Sequence, residues 1–379
     1  MADGLLAGAE ALREHALTRL ETLVTMESPS GDPMLLARVA DDLQAGYEDA
    51  GAVVERDRGP DGDHLICRWP ASRVDGGHVL LIGHHDTVLP AGTIERRPFA
   101  LDDDVLSGPG VFDMKGALVQ VELAMRVLRD AGRTLRRPVR LVIVNDEELG
   151  SPDGQRVVAA HAAGAVAAIG LEPPLPGGLL KTGRRGVARV LLTIDGVEAH
   201  AGLDQALGVS AIDELVDQLV LLRERLPASS GATMNVGIVS GGTRANVVAG
   251  RASAEVGLRF AEAHAEHCAT QAVESLCAVR PGALLKTEWL AHRRAWAADP
   301  DNPLAAEFAA LARDLGLELG SGTSGGAGDT NYTGAAGIPT VDGLGPEGRG
   351  AHGPVEEASL RSLLERSALL AAYLSDVYS

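Results

Sequence analysis

Residues 78–88 read HVLLIGHHDTV. His78–Gly83 (HVLLIG) is a short apolar run that reads as a buried strand of a helix-covered sheet. Directly beyond it stand His84, His85 and Asp86. The pattern recurs twice. Val139–Asn145 (VRLVIVN) is followed by Glu147 and Glu148, and Ala167–Leu171 (AAIGL) is followed by Glu172. Helical patterns flank these runs, one over 33–50 with Pro33 near its start and Gly51 just past its end, another over 116–131 after GPGVFDMKG. Strands alternating with helices in this way predict an α/β domain with a helix-covered sheet.

Working outward, the texture changes near residue 182. Val187–Gly196, Thr233–Ser240 and Ala252–Phe260 alternate apolar and polar residues as half-exposed strands do, and helical patterns around 209–225 and 261–279 separate them. A small α+β insert is predicted here. From about 292 the α/β texture resumes, with a helix over 303–315, a Gly-rich loop at 320–328, a strand at Ile338–Leu344 and a last helix over 355–376. The predicted organisation is therefore a discontinuous catalytic domain, 1–181 and 292–379, interrupted by a second domain at 182–291.

Composition narrows the function. The 379 residues carry 34 Lys and Arg against 52 Asp and Glu, a formal charge of −18, which argues against a nucleic-acid partner. Three scattered cysteines, Cys67, Cys268 and Cys277, supply neither a disulfide framework nor a thiolate metal site. Any bound metal must then use histidine and carboxylate. At the amino terminus Glu10, Arg13, Glu14 and Arg19 interrupt the apolar positions, so no signal peptide is read there; Leu17, Leu20 and Val24 recur at helical spacing instead. No apolar run is long enough to span a bilayer, and a cytoplasmic protein without membrane contact is expected.

Ligands in open α/β sheets bind at the carboxyl ends of strands, which makes the three polar clusters candidates for one shared site. Asp113, in the turn before a helix, and His352, in the loop LGPEGRGAHGP, can join them. Each has a plain reading on its own. His84 with Asp86 can be a histidine held by a carboxylate, Glu147–Glu148 a solvated turn, Asp113 an acid at a helix start, and His352 a surface residue. Taken together, two histidines and three carboxylates, beyond a spare acid and a spare base, suit Zn²⁺, Mn²⁺ or Co²⁺.

The motifs GHHDTV (83–88), GPGVFDMKG (108–116), NDEELGS (145–151), LEP (171–173), EAHAG (198–202) and GAHGP (350–354) stand in an order that resembles the M20 metallopeptidase family, in its glutamate carboxypeptidase G2, ArgE and DapE-like branch. The resemblance covers essentially the whole chain. It implies a mixed-sheet, zinc-exopeptidase-type catalytic domain with an inserted ferredoxin-like lid and dimerisation domain, and two Zn²⁺ per subunit, with Mn²⁺ or Co²⁺ possible. His84 and Glu172 would complete one metal site and His352 and Glu148 the other, with Asp113 bridging. Asp86 would accept the remaining ring N–H of His84, and Glu147 would be the general base.

The same resemblance gives His200 of the insert a place in a partner subunit's active site, as a donor to the oxyanion. Its plain alternative is a histidine capping a turn. Asn246 and Arg259 match lid positions that bind substrate, Arg259 through a carboxylate; a surface strand arginine is the alternative. One departure is that Gln205–Ala206 stands where the family usually has Pro-Glu. The expected activity is a carboxypeptidase releasing a C-terminal amino acid of glutamate type or related from a small acyl or peptidyl substrate, as a homodimer. An N-acyl-amino-acid deacylase and, in another class, a non-catalytic amino-acid- or peptide-binding scaffold are the competing readings.

Overall fold

The strand His78–His84 is buried at all seven positions, and the architecture follows from covering both of its faces. The computed structural model of the protein describes residues 3–71 and 76–376. They form two units: one of the chain through Gly183 with Ala298–Ser324 and the segment from Gly328 on, the other of Arg184–Ala297 with Gly325–Ala327.

In the first unit a six-stranded sheet runs in the order Val53–Arg58, Asp63–Trp69, Val139–Val144, His78–His84, Ala165–Gly170, Thr340–Val341. The first two junctions are antiparallel and the other three parallel. Alternation splits the strand side chains between two cores. Leu65, Val79, Leu81, Leu141, Ile143 and Ile169 face helices Gly116–Asp130 and Leu360–Leu374 with the amino-terminal helices. Ile66, Leu80, Ile82, Val142, Val144 and Ala168 pack against Val157 and Val158 of helix Gly154–Ala162. The result is a helix–sheet–helix sandwich whose three central strands end together: His84 stands level with Val144, and Ile82 with Gly170.

The second unit is β-α-β-β-α-β. Its four strands lie in the order Ala232–Gly241, Arg251–Phe260, Gly186–Asp195, Leu284–Arg293, all antiparallel, a ferredoxin-like arrangement. Helices Ala211–Arg225 and Ala263–Glu274 cover one face, burying Val190, Leu192, Ile194, Val256 and Leu258 against Leu215, Leu222, Ala269 and Val273.

Several elements differ from the sequence expectation. Val53–Arg58 and Asp63–Trp69 form an antiparallel hairpin that charged residues hid, and Leu284–Arg293, with four charged or histidine positions, is a full strand at the second sheet's edge. The amino-terminal helix is two, Asp3–Ala11 and Arg13–Thr25, because Leu12 N bonds back to Ala9 O, three residues rather than four away. Helix 261–279 stops at Glu274, and Cys277 O instead accepts from Gln218. The last helix starts at Leu360, since Glu357–Ser359 is taken up in pairing with Val105–Ser107. The strand expected over Ile338–Leu344 is confined to Thr340–Val341.

Candidate metal centre

His84 ends its strand with its ring 1 % exposed, and the ring is held from behind: Nδ1 lies 3.0 Å from the Asp86 carbonyl oxygen and 3.4 Å from Asp86 Oδ1. A proton on Nδ1 serves that contact and leaves the Nε2 lone pair facing forward. Forward of it are Asp113 Oδ1 at 3.3 Å and Glu172 Oε1 at 3.6 Å. Asp113 comes from the irregular turn Val111–Lys115, whose backbone leaves helical values at Asp113 and Met114. Its other oxygen, Oδ2, is 3.4 Å from His352 Nε2, and His352 Nε2 is 3.0 Å from Glu148 Oε2. Two three-residue groups result, His84–Asp113–Glu172 and Asp113–Glu148–His352, and Asp113 belongs to both.

These contacts are electrostatically unbalanced. Burial, with Asp113 and Glu147 nearby, pushes the Glu148 carboxyl up to about 8. The Asp113 hydrogen bond, with Glu148 beside it, pushes His352 up to about 9 against its burial. His84 is also raised, Asp113 and Asp86 outweighing the burial of its ring. Asp113 Oδ1 is buried and accepts no hydrogen bond. Lone pairs aimed at one another with only shared protons between them are what a cation resolves. Tetrahedral coordination with bonds of ~2.0–2.1 Å places ligand atoms about 3.3 Å apart, and the nitrogen–oxygen separations here run from 3.0 to 3.6 Å. The donor set fits two divalent ions of the zinc type.

Asp86 does more than face His84. Fully buried, its carboxylate accepts from Ser30 Oγ (2.6 Å), Glu147 N (3.2 Å) and Glu148 N (3.1 Å), so it fixes the turn that carries both glutamates. The nearer acceptor for the His84 ring is the Asp86 main chain rather than its carboxylate. Glu147 opens the short turn Glu147–Leu149 and belongs to neither three-residue group. His85 turns to Asp63 O, 3.3 Å away, and burial pushes it down to about 4, so it is a neutral core residue. Ser30 and Glu356 were not singled out from the sequence. Ser30 lies in a run of small polar residues and Glu356 beside a second acid, with nothing local to mark either.

In the second unit His200 Nδ1 accepts from Gly202 N and Leu203 N, both at 3.1 Å. The neutral ring therefore carries its proton on Nε2, as an exposed donor. Asn246 is adjacent, since its carbonyl accepts from Ala201 N. Arg259 is exposed, pairs in register with Val187 and Thr233, and makes no ion pair among the described residues. It sits at the opposite end of the Arg251–Phe260 strand from the His200 turn, eight residues or about 27 Å along the sheet.

The profile of peptidase family M20/M25/M40 matches residues 80–376 of the chain. Carboxypeptidase G2 from a Pseudomonas species is 27% identical over 381 residues, covering 98% of this chain and 91% of that protein. A succinyl-diaminopimelate desuccinylase from Gluconacetobacter diazotrophicus is 32% identical over 209 residues, 50% of this chain and 53% of that one. Among solved structures, aminopeptidase PepT from Bacillus cereus superposes with a TM-score of 0.74 at 22% identity, covering 97% and 99% of the two chains, a likeness of fold.

Proposed function

The chain belongs to peptidase family M20/M25/M40, and from that premise we propose that it is a dinuclear-metal amidohydrolase acting as a carboxypeptidase, releasing a C-terminal amino acid of glutamate type or related. The observation that carries the reading is the carboxylate of Asp113, shared by two histidine–carboxylate groups. The proposed occupants are two Zn²⁺ ions, with Mn²⁺ or Co²⁺ as substitutes, one held by His84, Glu172 and Asp113, the other by His352, Glu148 and Asp113. Such a pair, when bound, lowers the pKa of water and polarises an amide carbonyl.

The chain's own residues supply the rest. Glu147, next to Glu148 but outside both groups, accepts a proton from the attacking water and hands it to the leaving nitrogen. Asp86 holds the backbone N–H groups of both glutamates, which keeps the base beside the site. His200 offers Nε2–H to the developing oxyanion, Asn246 hydrogen-bonds the substrate, and Arg259 clamps the product-side carboxylate with its guanidinium fork. Because His200 and Arg259 lie at opposite ends of one sheet, a small substrate meets both only if His200 comes from a second copy of the chain.

The surface for that copy is the edge strand Ala232–Gly241 with the helix beside it, where Ile238, Val239, Val216 and Val220 are 47–61% exposed. Among the described residues no helix is long and apolar enough to cross a membrane, and the free thiols of Cys67, Cys268 and Cys277 suit the reducing cytoplasm. The desuccinylase relative favours a second reading, an N-acyl-amino-acid deacylase. Zinc-loaded protein assayed on acyl-glutamates, dipeptides and N-acetyl or N-succinyl amino acids separates the two. Preference for acyl-glutamates and peptides supports the carboxypeptidase, preference for simple acyl amino acids supports the deacylase, and no turnover of any amide overturns both.

A further inference from the structure

Four residues after His352 the chain reaches Glu356, whose side chain is buried and points into the turn that presents Asp113. Its Oε2 accepts from Gly110 N at 2.8 Å, and its Oε1 accepts from Phe112 N and Asp113 N, both at 3.0 Å. One carboxylate thus gathers three main-chain donors of a single turn, a small anion nest. Asp113 and Met114 have non-helical backbone angles, so the turn lacks an α-helical ladder and its own main chain closes it chiefly through Lys115 N to Gly110 O at 2.8 Å. The N–H of Asp113 has this carboxylate as its acceptor. Asp113 is the residue both three-residue groups share, and His352, in the second of them, is separated from Glu356 by only Gly353, Pro354 and Val355. A single side chain therefore ties the shared ligand to the segment that carries a terminal one.

Resting on the dinuclear reading above, we propose that Glu356 is a positioning residue for the metal centre: its grip on the Gly110–Asp113 main chain sets the spacing between Asp113 and His352 and hence the affinity for metal. Ligand carboxylates are tuned by the groups that orient them, and removing such a group costs 10–100-fold in metal affinity. Glu356→Gln is the discriminating substitution. It keeps shape and leaves one oxygen for Phe112 N and Asp113 N, but turns an amide N–H₂ toward Gly110 N, so one attraction becomes a clash of donors.

The test is zinc titration of the metal-free full chain by calorimetry, with apo thermal unfolding measured alongside. Glu122→Gln serves as a control, a buried carboxylate in the same unit that contacts His15, Arg19 and Arg126 instead. Wild type is expected to bind two equivalents. Glu356→Gln should fold, yet bind at least one equivalent more weakly by ~10-fold or more, whereas Glu122→Gln should lower the unfolding temperature and leave both affinities unchanged. Wild-type affinities in Glu356→Gln overturn the proposal. If that variant does not fold, Glu356→Asp, which keeps the charge but withdraws it by one methylene, must show the same loss. Failure of both to fold makes Glu356 a structural anchor and also overturns it. A wild type that binds no zinc removes the dinuclear reading itself, a result distinct from unaltered binding in the variant.

Discussion

Glu147 and Glu148 are neighbours whose main-chain N–H groups share one acceptor, Asp86, yet their carboxylates have different surroundings. Glu148, with its side chain 6% exposed, meets His352, while Glu147 stays outside both three-residue groups. The substitutions should separate accordingly. Glu147→Gln is expected to cut kcat by about 10²–10⁴-fold while zinc stoichiometry stays at two per chain. Glu148→Gln should instead lower zinc affinity, read by the same titration. If Glu147→Gln lost zinc and kept its turnover per bound metal, the two assignments would have to be exchanged. Asp86→Asn leaves the ring of His84 its main-chain acceptor but puts an amide among the three donors the carboxylate now receives. A fall in kcat/KM of roughly 10–100-fold is expected, with no recovery at saturating metal, because the displaced group is the base-bearing turn.

The elements that carry these residues differ in how plainly the sequence marks them. Asp32 caps the helix Pro33–Asp49 by accepting from Met34 N and Leu35 N, and Asn302 does the same for Leu304 N and Ala305 N ahead of Pro303. An acid or amide followed by proline is a helix start readable without coordinates, and Asp32→Ala should cost about 1 kcal/mol in chemical denaturation. Helix Gly116–Asp130 presents a less readable feature, the buried Glu122, joined to His15, Arg19 and Arg126. Burial alone would push this carboxyl up, but Arg19, the His15 hydrogen bond and Arg126 hold it below its ordinary value of 4.5. A carboxyl depressed in the folded state stabilises fully above its unfolded pKa and loses that contribution as pH falls through the folded one. Glu122→Gln should therefore destabilise by about 3 kcal/mol at pH 7, and thermal melts of the two proteins should converge as pH drops below the usual carboxylate range. A gap that persists in acid would mean that packing, not charge, is what Glu122 contributes.

Across the whole molecule the proposed chemistry needs metal and a second chain. Chelation should abolish hydrolysis and lower the unfolding temperature, and Zn²⁺, Mn²⁺ or Co²⁺ should restore both; ligand at a thousandfold over its Kd stabilises by about 4 kcal/mol. Full activity in metal-free protein would refute the mechanism. His200→Ala and Glu147→Gln, each inactive alone, should regain about a quarter of wild-type activity when subunits are exchanged at equal amounts, because a mixed dimer of twofold symmetry holds one intact site. Verified exchange without recovery would place His200 in its own chain's site or in none. Placing Glu at Val216 should shift sedimentation toward the monomer and reduce turnover with it.

The sequence by itself determined the kind of fold and the kind of ligand. Strands buried on both faces are built around short apolar runs, so Val79–Ile82 and Leu141–Val144 announce the strands that hold them, and a chain with three scattered cysteines has only histidine and carboxylate to offer a metal. The five side chains gathered into the two groups all follow strands or turns that the sequence marks. Tertiary structure decided what local pattern cannot encode. Asp63–Trp69 mixes charged and apolar residues yet is a sheet strand because neighbours on both sides complete its hydrogen bonds. Ser30 and Glu356 reach Asp86 and Asp113 across 56 and 243 residues. An acceptor that far along the chain leaves no period in the sequence, since only the fold brings it to its donor.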